Sequence, residues 1–396
     1  MGQEALPIPT LLRSALIILS MTLAGCVSLP DRDFTEPQLA LARIDGIPAA
    51  RFWSDDPMAL AAARTTPLTR GRYAMLALSG GGDDGAYGAG FLNGWTRSGR
   101  RPEFAVVTGV STGSLIAPFA FLGSDYDDRL TSAFTGIGPN DIYRTRFLLA
   151  IPFSTSAAST RPLEQLVERY FTVEVIDAVA REHRRGRRLL VGTANLDAQR
   201  GVIWNMGEIA ASNSPERYAL FRRVILASCS IPAVFPPVII DSRSGGALIR
   251  EAHIDGATVA SLLAVPPALS ASATPSVPGE VDLYLLVNTK LGGEFRLTRG
   301  GVFSIAVRAV SLATSSAIRE QVSTAYQWSR RTQANFHLSF VDTDFDSGAP
   351  HTNFETAYMR RLFAYGETRG AAAQWLDRPP SGDPTRPAET PVAANP

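Results

Sequence analysis

Lysine is almost missing from these 396 residues: Lys290 stands alone, and arginine supplies nearly all of the positive charge. We read this as compositional bias and not as a phosphate-binding device. The formal net charge is +1 with 19% charged residues, which excludes the dense basic face that nucleic-acid binding needs. Cysteine is scarce too, and neither Cys26 nor Cys229 has a neighbour at metal-ligand spacing. The four histidines, His183, His253, His337 and His351, form no H-E-x-x-H cluster, and the acidic "DYDD" at 125–128 lacks the EF-hand spacing. The expectation is chemistry without a metal or cofactor, with "DYDD" as a solvated helix start. The apolar run "ALIILSMTLAG" at 15–25 is too short to span a bilayer.

That run follows Arg13, has the proportions of a secretory h-region and ends at "LAGC", residues 23–26. The ending resembles the lipobox of bacterial lipoproteins. The resemblance implies that residues 1–25 are a signal peptide and that Cys26 becomes a lipid-bearing thioether. More than one acyl chain there gives stable membrane anchoring where one chain would not. Val27 resembles the neutral +2 position of lipoproteins sorted to the outer membrane, with the domain facing the periplasm. Pro30, Pro37, Pro48, Pro57 and Pro67 predict a tether and irregular lead-in over 26–72. The tail 377–396 is too poor in apolar residues to bury a core, and "SASATPSVPG" at 270–279 reads as a loop. The basic run "REHRRGRR" at 181–188 reads as a solvated helix end.

Between these ends, residues 73–376 alternate strand and helix patterns. "YAMLALS" at 73–79 stops at glycines and is followed by helix-compatible "AYGAGFLNGWTRSG" at 86–99. "EFAVVTG" at 103–109 then leads through a tight turn into "TGSLIAPFAFLG" at 112–123. Two consecutive strand-loop-helix units imply parallel strands with right-handed crossovers and a sheet covered on both faces. Further strands are predicted at 187–196, 201–206, 248–254, 281–289 and 335–343. Helices are predicted at 215–228, 303–334 and 353–376. The fold class is α/β.

"GVSTG" at 109–113 fits G-x-S-x-G. A serine at a strand-to-helix corner needs an unfavourable backbone, and Gly109 and Gly113 let strand and helix approach closely enough to hold it. Ser111 is then the candidate nucleophile. Its oxyanion needs donors, and Gly80, Gly81 and Gly82 can present successive N–H groups at the start of a helix. The same glycines are not a Walker A loop, because the G-K-[ST] ending is missing, and a dinucleotide reading lacks its acidic partner on a second strand end. Asp255 in "HIDGA" at 253–257 stands at a strand end, where its carboxylate can serve as base.

"LSGGGDDGAYGAGFL", "GVSTGSLIAPFAFLG", "ASCSIPAVFPPV" at 227–238 and "HIDGA" resemble, in order, the four blocks of the patatin-like phospholipase family. The match spans residues about 73 to 290. The resemblance implies a three-layer α/β/α sandwich with a mainly parallel central sheet, and an acyl hydrolase acting on lipid esters through a Ser-Asp dyad. Ser111 is then the nucleophile, Asp255 the base, and Gly80, Gly81 and Gly82 the oxyanion hole. Two departures stand out. Asp84 occupies a position where the family commonly carries a basic residue, and Ala257 replaces the second glycine of D-G-G. A carboxylate at 84 should disfavour a substrate phosphate, unless it caps the following helix. His253 and His351 are alternative bases. A histidine base predicts loss of activity below its ordinary pKa of about 6.5, whereas an aspartate base predicts activity to lower pH. Cys229 reads as a buried small hydrophobe. A non-catalytic lipid-binding or envelope-assembly lipoprotein is the alternative to an enzyme.

Overall fold

The computed structural model describes residues 32–56, 72–145, 158–232, 234–264, 280–292, 297, 302–347 and 354–380. Nine strands form one sheet: β1 (Arg51–Trp53), β2 (Arg72–Leu78), β3 (Val106–Val110), β4 (Arg188–Asn195), β5 (Arg200–Asn205), β6 (Val238–Ser244), β7 (Ala247–Asp255), β8 (Glu280–Val287) and β9 (Asn335–Phe340). Neighbours run β1-β5-β4-β3-β2-β8-β9, and β6 and β7 form a hairpin whose β7 also pairs with β4. The five strands from β4 to β9 along this path are parallel; β1, β5, β6 and β7 join antiparallel. The mixed α/β architecture follows the sequence pattern, with the parallel strands at its centre.

Strand alternation assigns the two faces. Leu76, Leu78, Tyr284 and Leu286 enter one core, whereas Tyr73, Ala77, Leu283, Leu285 and Val287 enter the other. The first core is covered by helices that include α1 (Gly85–Arg97), α2 (Thr112–Leu122), α3 (Asp127–Thr135), α4 (Arg161–Tyr170), α5 (Val173–Arg184), α6 (Arg217–Ser228) and α8 (Thr356–Ala371). The second is covered by α7 (Val302–Thr332), which contributes Ile318, Val322, Ala325 and Trp328. Helices α1 and α8 touch backbone to backbone: a Cβ on Gly90 would lie 2.0 Å from Phe363 O, and one on Gly370 would lie 2.0 Å from Phe91 O. Small residues on both helices permit that approach.

The lead-in is more structured than its prolines predict. Residues Glu36–Leu41 form a short helix, and Leu39, Ile44, Ile47, Ala50 and Trp53 are buried. Strand β1 pairs with β5, and Arg51 is held in a buried ion pair with Glu251 of β7 at 2.5 Å. The apolar residues between the prolines provide that anchorage, so the irregular region is interrupted by a piece of the domain. The "REHRRGRR" run is also not all solvated. Arg187 is buried, donates to Phe104 O at 2.7 Å and lies over the Phe121 ring, because its aliphatic stem and flat head pack where a lysine would not. "DYDD" does open a helix: Asp127 begins α3, where it accepts from Arg101 at 2.8 Å. The segments 270–279 and 381–396 lie outside the described residues.

Candidate active site

Sheet register brings Ser111 and Asp255 together. Strand β3 ends with Val110 opposite Gly192 of β4, and at the next residue of β4, Thr193, the neighbour is Asp255 of β7. Strand β7 runs against β3, so the two strands share one lane beside β4 and meet head to head. The chain turns out of that lane at Ser111 and arrives in it at Asp255. The Ser111 hydroxyl donates to Asp255 Oδ2 at 2.6 Å, with both residues buried.

The corner is strained and heavily braced. Ser111 has φ 53° and ψ −128°, a conformation that costs a non-glycine residue about 1–3 kcal/mol. Gly109 and Gly113 make it possible: a Cβ on Gly109 would lie 2.3 Å from Gly113 O, and one on Gly113 would lie 2.5 Å from Leu78 O. The Ser111 N–H donates to Ser228 Oγ at 2.9 Å, and that hydroxyl donates onward to Gly192 O at 2.7 Å. The Ser111 carbonyl accepts from Ser114 Oγ at 2.7 Å and from Cys229 Sγ at 3.3 Å. Burial pushes the Cys229 thiol up, so it stays a neutral donor; the buried-hydrophobe reading of Cys229 lacks this bond. The Ser230 backbone carbonyl completes the set by accepting the Asp255 N–H at 2.9 Å. The "ASCS" stretch therefore clamps both members of the pair, a role its residue types do not announce.

Asp255 is more basic than an ordinary carboxylate. Burial pushes its carboxyl up to about 7, against the pull of the Ser111 hydroxyl and the Ala257 N–H, which donates to Oδ1 at 2.8 Å. Position 257 thus acts through its backbone, and alanine there leaves the contact intact. His253 does not reach the serine. Its Nδ1 lies 3.0 Å from Thr193 Oγ1 and its Nε2 lies 3.4 Å from the Glu251 carboxylate, with the ring wholly buried beside Trp204. Thr193 Oγ1 also accepts from Trp204 Nε1 at 2.8 Å, so the ring is engaged in a buried cluster away from Ser111. Burial lowers the His253 pKa, keeping the ring neutral. His351 lies outside the described residues. With Asp255 raised to about 7, the acid limb no longer distinguishes an aspartate base from a histidine.

The glycine loop presents two donors and not three. Gly80 N–H donates to Ser261 O at 3.0 Å, so it shapes the loop beside Ser111 and has no free proton to offer. The N–H groups of Gly81 and Gly82 have no acceptor among the described residues. Asn288, just after β8, braces the loop: its side-chain amide donates to Ser79 O at 2.8 Å and accepts the Gly88 N–H at 3.0 Å, while its own N–H donates to Ser79 Oγ at 2.8 Å. A Cβ on Gly81 would lie 2.2 Å from Asn288 O, which accounts for glycine there. Neither Asn288 nor Ser79 carries a motif signal in the sequence.

Asp84 stands at the N-cap of α1, but its side chain does not cap the helix. It accepts the Tyr358 hydroxyl of α8 at 2.5 Å instead. The neighbouring Asp83, which the motif reading passes over, is buried, and burial pushes its carboxyl up to about 6 with help from Glu355, against three backbone N–H groups. Next to Gly82 and Thr112 lies a narrow apolar cavity of about 30 Å³, walled by Leu115, Phe119, Phe134 and Phe354 among others. Among the described residues no group of three or more His, Cys, Asp or Glu side chains could hold a metal ion.

A corner serine over a parallel sheet, facing a carboxylate that arrives in the same strand lane, has the form of the patatin-like class. Residues 76–269 match the family model described as patatin-like phospholipase. This domain belongs to that family. No curated protein matches the chain. Among solved structures it is similar to VipD from Legionella pneumophila, at 11% identity and a TM-score of 0.40, over 90% of this chain and 74% of that one.

Proposed function

We propose that the protein hydrolyses carboxylic esters of lipids through a Ser111–Asp255 dyad. The observation that carries this reading is the 2.6 Å hydrogen bond from the Ser111 hydroxyl to Asp255 Oδ2 at a strained, multiply braced corner. Above pH 7 the Asp255 carboxylate is ionised and can take the hydroxyl proton as Oγ attacks the ester carbonyl. The carbonyl oxygen becomes an oxyanion held by the Gly81 and Gly82 N–H groups. Each such donor is worth about 3–4 kcal/mol in the transition state. The leaving alcohol receives the proton from Asp255 as the tetrahedral species collapses to an acyl-Ser111. Water then attacks that ester, Asp255 takes the water proton, and the departing Oγ recovers it as the fatty acid leaves.

The pocket beside Gly82 and Thr112 has the apolar walls an acyl chain needs, and its side chains would have to move apart to admit one. Membrane anchoring through Cys26 at the outer membrane would hold the enzyme beside its substrate and raise the effective concentration. Treatment with a fluorophosphonate followed by peptide mapping tests the chemistry. The expected adduct is on Ser111, absent from Ser111→Ala. A native chain that stays unlabelled, yet still binds lipid, would instead be a non-catalytic lipid-binding protein.

A further inference from the structure

Helix α7 is too long for the sheet it covers. Its 31 residues extend about 46 Å, whereas the six-residue strand β9 that follows spans about 20 Å. The half that packs on the sheet begins near Ile318, which is buried together with Val322, Ala325 and Trp328 at helical spacing. The helix leads into β9, which is parallel to β8. Its excess length therefore overhangs the carboxyl ends of the parallel strands, the edge where Ser111 stands. The point of departure is tied to the site: Gln321 Oε1 accepts the Leu262 N–H at 2.8 Å, next to the Ser261 that holds Gly80, and Arg319 donates to Leu291 O at 3.3 Å, three residues past Asn288.

The overhanging half is apolar where it is most exposed. Ile305 is 55% exposed, Leu312 67% and Val310 39%. Ile305, Ala309 and Leu312 fall on one stripe at i, i+4 and i+7, with exposed Ala313 beside them at i+8. Ser316 closes the stripe toward the packed half, and Arg308, Ser311 and Ser315 flank it on one side. From Val302 to Arg319 the chain has no acidic residue and two arginines, and Leu297 shortly before it is 79% exposed. A watery surface gives such a stripe nothing in return for its exposure.

We propose that this half of α7 is the membrane-docking element of the enzyme, lying in the headgroup region of an anionic bilayer with its Ile305–Leu312 stripe toward the acyl chains. The proposal rests on the lipid-hydrolase reading and adds how a bilayer substrate is reached. Amphipathic helices with an apolar stripe settle in that region, and the absence of acidic residues from 302 to 319 removes repulsion from anionic lipid. The docked stripe would hold the enzyme on the bilayer that contains its substrate.

The first test is independent of turnover. A polarity-sensitive fluorophore is placed on Leu312→Cys in the full chain carrying Ser111→Ala, with the same label on Arg184→Cys, at the far end of the sheet, as reference. The unsubstituted chain treated identically gives the background. On adding vesicles of phosphatidylethanolamine and phosphatidylglycerol, the label at 312 should shift to the blue and brighten several-fold while that at 184 does not. A label at 312 that stays water-like while the protein floats with the vesicles overturns the proposal. So does a shift that rises with protein concentration alone, which would make the stripe a contact between copies of this chain.

The second test pairs Ile305→Asp with Leu312→Asp. Hydrolysis of esters in vesicles should fall about tenfold or more, with turnover of a soluble p-nitrophenyl ester unchanged. An equal fall on both substrates makes the segment a prop of the fold and rejects docking. If the unsubstituted chain hydrolyses neither substrate, the catalytic reading fails, while the fluorophore still decides whether the helix enters lipid.

Discussion

Two buried carboxylates, Asp255 beside the corner serine and Asp83 at the end of the glycine loop, are alike in burial but not in what they face. Asp255 faces a hydroxyl whose proton it can take, and its carboxyl is pushed up to about 7. Asp83 faces three backbone N–H groups, which give up no proton, and sits near Glu355 with its carboxyl at about 6; its Oδ2 has no hydrogen-bond partner among the described residues. Desolvation alone therefore does not make a base. The partner decides, and the partner of Asp255 is fixed by strand register, whereas Asp83 is held by the turn that starts α1.

The sharpest way to break this comparison is to neutralise each acid in turn. Asp255→Asn should lower kcat on a soluble ester by about 10³-fold or more, because the amide cannot accept the hydroxyl proton. Asp83→Asn should change it by less than about tenfold. Comparable losses in steady-state assays would erase the distinction between the two sites.

Stability should separate them from function. A folded pKa above the ordinary carboxylate value means that the native state binds the extra proton between about pH 4 and 7 for Asp255. Native stability is then greatest below that window and declines as pH rises through it, by up to about 4 kcal/mol as an upper bound. Asp255→Asn should accordingly raise the urea midpoint at pH 8 even as it lowers turnover. Asp83→Asn should give a smaller gain, since the Asp83 window closes at about 6. A lower midpoint for Asp255→Asn at pH 8 would mean that the buried charge is compensated in a way the contacts do not indicate.

Ser228→Ala sharpens the account of the corner itself. It removes the acceptor of the Ser111 N–H and the donor to Gly192 O, so it should destabilise the fold by about 1–3 kcal/mol. A loss of about tenfold in kcat with little change in KM is expected, read from urea melts and steady-state kinetics together. The smallest effect belongs to Asp84. Asp84→Asn keeps an acceptor for Tyr358 and removes the charge, and should raise the ratio of phospholipid to neutral-ester turnover by about two- to fivefold. A constant ratio would mean that this carboxylate lies outside the reach of the substrate phosphate.

Much of the site is legible in the residues because local chemistry writes it there. G-x-S-x-G points to a corner, an unbroken apolar run to a buried strand, and a glycine triplet before a helix to a loop that can present N–H groups. What joins Ser111 to Asp255 is not local: β7 takes the lane that β3 leaves, and no spacing between residues 111 and 255 announces it. The same holds for Ser228 and Asn288, ordinary polar residues given their roles by strands and helices that meet only in the folded sheet, and for the backbone carbonyl of Ser230. The lead-in fails for the opposite reason. Its prolines are visible and its packing is not, since Trp53 and Arg51 find their partners on β5 and β7. Gly80 looks the same as Gly81 and Gly82 in sequence, and only the position of Ser261 O sets it apart.

The most direct test of the central claim is the pH dependence of kcat/KM on a soluble p-nitrophenyl ester, measured for the native chain and for Asp255→Asn. Proton transfer from Ser111 to Asp255 predicts an acid limb falling tenfold per pH unit below a midpoint near 7, and a residual rate without that limb in Asp255→Asn. An Asp255→Asn enzyme that keeps the native rate and the same limb would contradict it.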